Sequence, residues 1–393
     1  MRDWNLISEL DDLHTQELWR ELRPLDEVNG VIVKREGREL MNFSSNDYLA
    51  LAGSDEMCEA LADGVAKHGG GSGASRLVCG THRAHMQLEE ALADFKRTQA
   101  ALCFSSGFAV ALGTLPALMG SGDTILLDKL CHASLVDAAR LSGAVIRIFP
   151  HNHLDKLSRL LETAAGRVLI ITESIFSMDG DAAALREIVE LKDKHGAWLL
   201  LDEAHAVGVL GPQGRGLAAA LGLENRIELH MGTLSKALGL SGGYLAASRP
   251  AIDLLINRAR SLIYSTAPPP HLAYAAGEML KLIAGEEGEK RRQRLHEHIS
   301  MLSGLIQTPA HPAAILPIIL GGESVALEAS KDLLEAGFLV PAIRFPTVAR
   351  GRARLRITLS AGHLPEQILN LGRYLSPVVS KNHKTAPVWH GGC

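Results

Sequence analysis

Between residues 100 and 248 one pattern recurs seven times: a short, uninterrupted apolar run, a turn, then a stretch with helical spacing. The runs are ALCFSS (101–106), TILLD (124–128), VIRIF (145–149), RVLIITE (167–173), AWLLLD (197–202), IELHMG (227–232) and GYLAAS (243–248). A strand with one face in water alternates apolar and polar residues, whereas a strand covered on both faces reads as a continuous apolar run. Seven such runs flanked by helices predict an α/β domain with a mostly parallel seven-stranded sheet and helices on both sides.

Beyond Pro268-Pro269-Pro270 the texture changes. The charged stretch GEEGEKRRQRLHEHIS leads into ILPIILGG (315–322), FLVPAIR (338–344) and ARLRITLS (353–360), with a helical ALEASKDLLEAG between the first two. This predicts a smaller C-terminal α+β domain. The expected division is an N-terminal helical arm over 1–45, a large domain over 46–280, a small domain over 281–380 and a tail over 381–393.

The 393 residues carry 40 Lys and Arg against 44 Asp and Glu, a net charge of -4. No basic field speaks for nucleic acid or an anionic membrane surface. The uncharged stretch from Thr98 to Gly122 is long enough to span a bilayer. Its glycines, proline and Ser-Ser-Gly break read instead as a buried strand, turn and helix. Five scattered cysteines (Cys58, Cys79, Cys103, Cys131, Cys393), with no CxxC pair, argue against a disulfide frame or a structural zinc site. With no apolar run of the signal-peptide kind at the start, a cytoplasmic enzyme without a metal is expected.

In open α/β sheets ligands bind beyond the carboxyl ends of the strands. The residues that follow the apolar runs are Gly107-Phe108, His132, Ser177 with Asp179, Asp202 with His205, and Thr233, Ser235 and Lys236. A glycine opening a helix offers free amides and the positive end of the helix, which suits a phosphate. An acid ending a buried strand suits a cation, a pairing of ~4 kcal/mol at short range and intermediate dielectric. A lysine among small residues, GTLSKALGLSGG (232–243), suits an aldehyde. Phosphate, protonatable nitrogen and aldehyde on one ligand describe pyridoxal 5′-phosphate (PLP).

Taken singly, Asp202 could cap a helix, His132 could be a satisfied core histidine and Thr233 an N-cap. It is their common position at strand ends that favours one ligand. The rival motif, D-E-A-H within LLLDEAHAVG, would hold Mg²⁺ in an NTPase, but that chemistry needs a GxxxxGK[ST] loop, and GGGSGASR (69–76) has no lysine.

From about Arg20 to about Ala361 the chain resembles the α-oxoamine synthases, fold-type I PLP enzymes. The resemblance rests on NFSSNDYLAL (42–51), GSGASRLVCG (71–80), CHASLVDAARLSGA (131–144), FSMDGD (176–181), LLDEAHAVGVLG (200–211), GTLSKALG (232–239), IYSTAPPP (263–270) and IRFPTVARGRARLRITLSA (343–361). It implies that Lys236 holds the cofactor covalently and acts as the base, that Asp202 pairs with the pyridine nitrogen, and that His132 stacks on the ring. His205 would bond the phenolic oxygen with Ser177 nearby. Gly107, Phe108 and Thr233 would hold the phosphate, and Thr266 would reach a phosphate in the other subunit of a homodimer. Arg356 would clamp the amino-acid carboxylate, while Arg20 and Thr347, with His132, would contact substrate. NFSSNDYL and the IR-x-PTV stretch favour the branch that condenses L-alanine with a pimeloyl thioester, borne on acyl carrier protein or coenzyme A. Glycine C-acetyltransferases, 5-aminolevulinate synthases and serine palmitoyltransferases are the sibling alternatives. The chain departs from the family pattern at Ala206-Val207, where Gly-Thr is usual, and at Ala349, where Pro is usual.

Overall fold

The computed structural model describes residues 4–309 and 311–382. They fall into two compact units, one of Asn46–Leu295 and one that joins the described residues before 46 to those after 295. The division lies inside the helix Glu286–Leu305. The change of composition after the three prolines placed it at residue 280.

The larger unit holds the seven-stranded sheet: β1 (Ala100–Phe104), β2 (Thr124–Asp128), β3 (Val145–Phe149), β4 (Val168–Glu173), β5 (Trp198–Asp202), β6 (Leu229–Thr233) and β7 (Gly243–Ala247). All seven apolar runs form strands. Their order is β1-β7-β6-β5-β4-β2-β3, with β7 antiparallel to both of its neighbours and the others parallel. The runs are apolar throughout because successive side chains enter different cores. Ile125 and Leu127 of β2, Leu169 and Ile171 of β4 and Leu200 of β5 pack on one face, with the helices Gly107–Leu118 and Ala133–Ser142. Leu126, Ile170, Leu199 and Leu201 pack on the other, with Leu154–Glu162 and Leu185–His195. The uncharged stretch from Thr98 to Gly122 is β1 and the helix that follows it. Among the described residues no helix is long and apolar enough to cross a membrane.

In the smaller unit the segment expected as a helical arm is helical only over Leu6–Thr15. Residues 27–42 form three antiparallel strands, Glu27–Asn29, Ile32–Arg35 and Arg38–Asn42. The second turn has positive φ at both Glu36 and Gly37, the geometry of a tight hairpin whose twist matches its strands. These strands are too short and too exposed to stand out as apolar runs.

The run 338–344 divides in two. Phe338–Leu339 pairs in parallel with Arg38–Asn42, whereas Ala342–Ile343 pairs antiparallel with Ala353–Thr358. Pro341 lies between them, without an N–H for a ladder, and its carbonyl accepts from the Arg356 amide. Ile315–Gly321 completes the second sheet, and the helix Pro365–Asn382 ends the described chain. From residue 383 the expected tail lies outside the described residues.

Candidate active site

The parallel strands point their carboxyl ends to one edge, and the larger unit's candidate side chains collect there. Asp202 ends β5 and lies opposite Glu173, the last residue of β4. Its carboxylate is buried, and Oδ1 accepts from the Ala204 amide at 2.9 Å. Burial raises its pKa, while the nearby Lys236 ammonium, then the Ala204 amide and then His132 pull it back. A cation beside this carboxylate would relieve that cost.

Lys236 follows β6, and its Nζ lies 2.7 Å from Nε2 of His205. Nδ1 of His205 lies 2.5 Å from the Tyr48 hydroxyl, which donates to Oδ1 of Asn46 at 3.3 Å. With Lys236 donating to Nε2 and Tyr48 donating onward to Asn46, Nδ1 carries the imidazole proton; this tautomer is assigned from the network. Tyr48 and Asn46 were not singled out from the sequence. They are 157 residues or more from His205, and only the NFSSNDYLAL motif marked the segment.

His132 caps the helix Ala133–Ser142 through Nδ1, which accepts from the Ser134 amide and lies 2.8 Å from the Ser134 hydroxyl. Burial lowers its pKa, Asp202 opposes this and Lys236 adds to it, so the ring favours its neutral form. Ser177 is buried in the loop after β4. Ser106 caps the helix that follows β1 by accepting from Ala109 N, leaving the amides of Gly107 and Phe108 at the open helix start.

A Cβ on Gly107 would lie 3.8 Å from the Thr233 hydroxyl, and one on Gly243 would collide with the Gly107 amide at 2.7 Å. Gly243 thus lets the backbone of the helix start approach closely, and Gly107 sits within contact distance of Thr233. The Thr233 hydroxyl donates to the Gly242 carbonyl and lies 2.8 Å from Oγ of Ser235, which is exposed beside it. Thr266 is exposed and forms an antiparallel bridge with Ser75. Open helix amides with adjacent hydroxyls fit a phosphate, buried Asp202 fits a protonated ring nitrogen, and Lys236 fits an aldehyde. PLP therefore suits the residues present.

His151, in the turn after β3, braces the edge. Its Nδ1 lies 3.2 Å from both oxygens of the buried Asp128, and Nε2 lies 2.7 Å from Oδ2 of Asp181 in the FSMDGD loop. Burial would lower its pKa, but the two carboxylates outweigh that and hold it at about 10. A histidine raised above its unfolded value of about 6.5 stabilises fully below that pH and loses the contribution as pH rises through 10. His151→Ala is expected to cost about 3 kcal/mol at pH 7, since it leaves buried Asp128 without its cation. The variant should also lose part of the wild-type decline between pH 7 and 10. Urea unfolding at the two pH values measures both; equal declines would refute the assignment.

In the smaller unit, Arg20 donates from Nη2 to Oγ1 of Thr347 at 3.4 Å, joining two candidates 327 residues apart. Arg344 donates to the carbonyls of Glu17 and Trp19 and so fixes the segment that carries Arg20. Arg356 is buried in the strand Ala353–Thr358 and donates from Nη1 to Thr358 at 2.9 Å.

Fold and strand-edge chemistry define the class: residues 38–375 match the family of class I and II aminotransferases, PLP enzymes built on this sheet. The 8-amino-7-oxononanoate synthase of Pelobacter propionicus is 42% identical over 94% of this chain and 98% of its own. The crystal structure of the 8-amino-7-oxononanoate synthase of Francisella tularensis superposes with a TM-score of 0.74 at 29% identity, covering 88% of this chain and 99% of that one. A serine palmitoyltransferase of S. paucimobilis, solved with a bound PLP–myriocin adduct, superposes with a TM-score of 0.90 at 28% identity over 97% and 98% of the two chains. This chain belongs to the 8-amino-7-oxononanoate synthase family. The superpositions alone would admit a sibling synthase; the sequence identity selects the branch.

Proposed function

We propose that the chain condenses L-alanine with a pimeloyl thioester, releasing CO2 and the free thiol, to give 8-amino-7-oxononanoate for biotin synthesis. The observation that carries the reading is Lys236 Nζ at 2.7 Å from His205, on the same strand edge as buried Asp202. Lys236, Asp202, His205, Ser177, Thr233 and the Gly107 and Phe108 amides would hold the cofactor. Bound PLP supplies a conjugated ring that takes up the electron pair left on the amino acid's α-carbon.

Lys236 Nζ takes the α-proton of alanine, and for this it must be neutral at that moment. Asp202 would stay ionised beside the cofactor's ring nitrogen and so would keep that nitrogen protonated. His132 presents its ring face and its neutral form, so it adds no charge that would compete with Asp202. Once the thioester has acylated the α-carbon and the alanine carboxylate has left as CO2, Lys236 would return the proton to that carbon. Arg356 suits the amino-acid carboxylate because a planar guanidinium binds it through two parallel hydrogen bonds. Arg20 and Thr347 would bind the acyl substrate. The family resemblance further supports a cytoplasmic homodimer in which Thr266 serves the partner's site, with either acyl carrier protein or coenzyme A as the thiol.

The test is the visible spectrum of PLP-loaded protein titrated with L-alanine, glycine and L-serine, with and without pimeloyl thioester. Saturable alanine binding, followed by thioester-dependent product, is expected. Preference for glycine or serine would move the chain to a sibling reaction, and failure to bind PLP would end the reading. Asp202→Asn should lower kcat by about 10²- to 10⁴-fold, because a neutral amide no longer holds the ring nitrogen's proton. Loss of less than threefold would remove Asp202 from that role.

A further inference from the structure

We infer that Glu173 is a positioning residue of this site, fixing His132 and the Ser177 loop together through one buried carboxylate. Glu173 ends β4 and is buried, directly opposite Asp202 in the sheet register. Its Oε1 accepts from the His132 amide at 2.5 Å, and its Oε2 accepts from the Ser177 amide at 3.3 Å. The first amide belongs to the loop after β2 and the second to the loop after β4, and these strands are neighbours. One side chain thus sets the backbone position of both loops.

The location is unfavourable for an acid. Burial, then the charge of Asp202, pushes its pKa up to about 8, while Lys236 and the His132 and Ser177 amides favour the charged form, and an N–H donor on each oxygen is the arrangement of an ionised carboxylate. Only a carboxylate presents two acceptors to two separate N–H donors. A glutamine would satisfy one and turn its own NH2 toward the other, leaving a buried donor unpaired. An apolar residue would leave both amides unpaired. The geometry therefore explains why a second buried carboxylate stands beside the one assigned to the cofactor.

The inference rests on the PLP reading above, and its test separates the two. Wild type, Glu173→Gln, Glu173→Asp, His132→Ala and the double variant Glu173→Gln/His132→Ala are compared as holoenzymes. The comparison covers the PLP dissociation constant, the visible circular dichroism of bound PLP, and kcat and KM for alanine. Glu173→Gln should weaken PLP about tenfold, reduce the dichroism and lower kcat about 10- to 100-fold, with alanine KM within about threefold. Glu173→Asp should recover part of each loss.

Because Glu173 acts in part through His132, the losses in the double variant should be less than multiplicative, with the loss beyond His132→Ala alone being the share carried by the Ser177 loop. Fully multiplicative losses, or unchanged dichroism and kcat in Glu173→Gln, would overturn the inference. Wild type that fails to bind PLP would instead overturn the PLP reading. If Glu173→Gln does not fold, hydrogen exchange in the wild type still decides. The amides of His132 and Ser177 should be strongly protected, and rapid exchange at both would refute the assignment.

Discussion

Lys236→Ala is expected to lower the rate of alanine-dependent product formation by at least about 10⁴-fold, the combined loss of a nucleophile and a base. The protein should still fold, because Lys236 is partly exposed and its neighbours Leu234, Ala237 and Leu238 form the local core. It should also still take up PLP, since Asp202 and the Gly107 helix start remain. The change is in the linkage. After borohydride reduction, the wild type should carry the cofactor on the peptide containing Lys236, and the variant should release it on dialysis. Mass spectrometry of the reduced digest settles this, and cofactor fixed to any other lysine would displace Lys236 from its place in the site. His205 should feel the loss, because its Nε2 would be left without the 2.7 Å partner that pairs with its Nδ1 bond to Tyr48.

Lys236, Asp202 and His205 were legible because each follows an apolar run that could only be a buried strand, and parallel strands deliver their C-terminal residues to one edge. The same logic placed His132, Ser177 and Thr233. What it could not supply were bonds between distant segments. Tyr48 reaches His205 across 157 residues, and Arg20 reaches Thr347 across 327. Such pairings depend on how helices and loops pack, which no local periodicity encodes.

Glu173 escaped for another reason. It lies inside RVLIITE, where it reads as the polar end of a strand, and its importance arises only from the two amides that the fold brings to it. His151 was equally silent, because its two carboxylate partners come from separate segments, the end of β2 and the FSMDGD loop. In the smaller unit, the strands of 27–42 were missed because they bury few residues, and apolar runs are the signal that burial leaves in a sequence.

Lys96→Met is expected to cost about 3–5 kcal/mol, the loss that follows when a buried charge is stripped of its partner. Lys96 ends the helix Arg83–Lys96, is buried, and donates both to Oε2 of Glu203 and to the Arg215 carbonyl, the latter at 2.5 Å. Glu203 is fully buried between Asp202 and the loop that carries His205, and its Oε1 accepts from the Ala218 amide at 3.0 Å. Burial by itself would raise its pKa, yet the Lys96 ammonium and the adjacent His230 outweigh that and hold it at about 2. A depressed acid stabilises above its unfolded value of about 4.3, and the contribution is lost as pH falls toward 2.

Methionine fills the space of the lysine stem but leaves Glu203 charged without its ammonium partner. Adding Glu203→Gln removes that charge and keeps an acceptor for Ala218, so the double variant should be more stable than Lys96→Met alone. Glu203→Leu would not serve as the companion, because it would orphan the Ala218 amide. Denaturant unfolding of the four proteins gives the cycle, and a Lys96→Met cost below 1 kcal/mol would mean that water reaches this pair. Since Glu203 lies between Asp202 and His205 in sequence, Lys96→Met should also weaken PLP binding although Lys96 is assigned no contact with the cofactor. The double variant should recover PLP affinity in step with its stability, because both depend on the same loop.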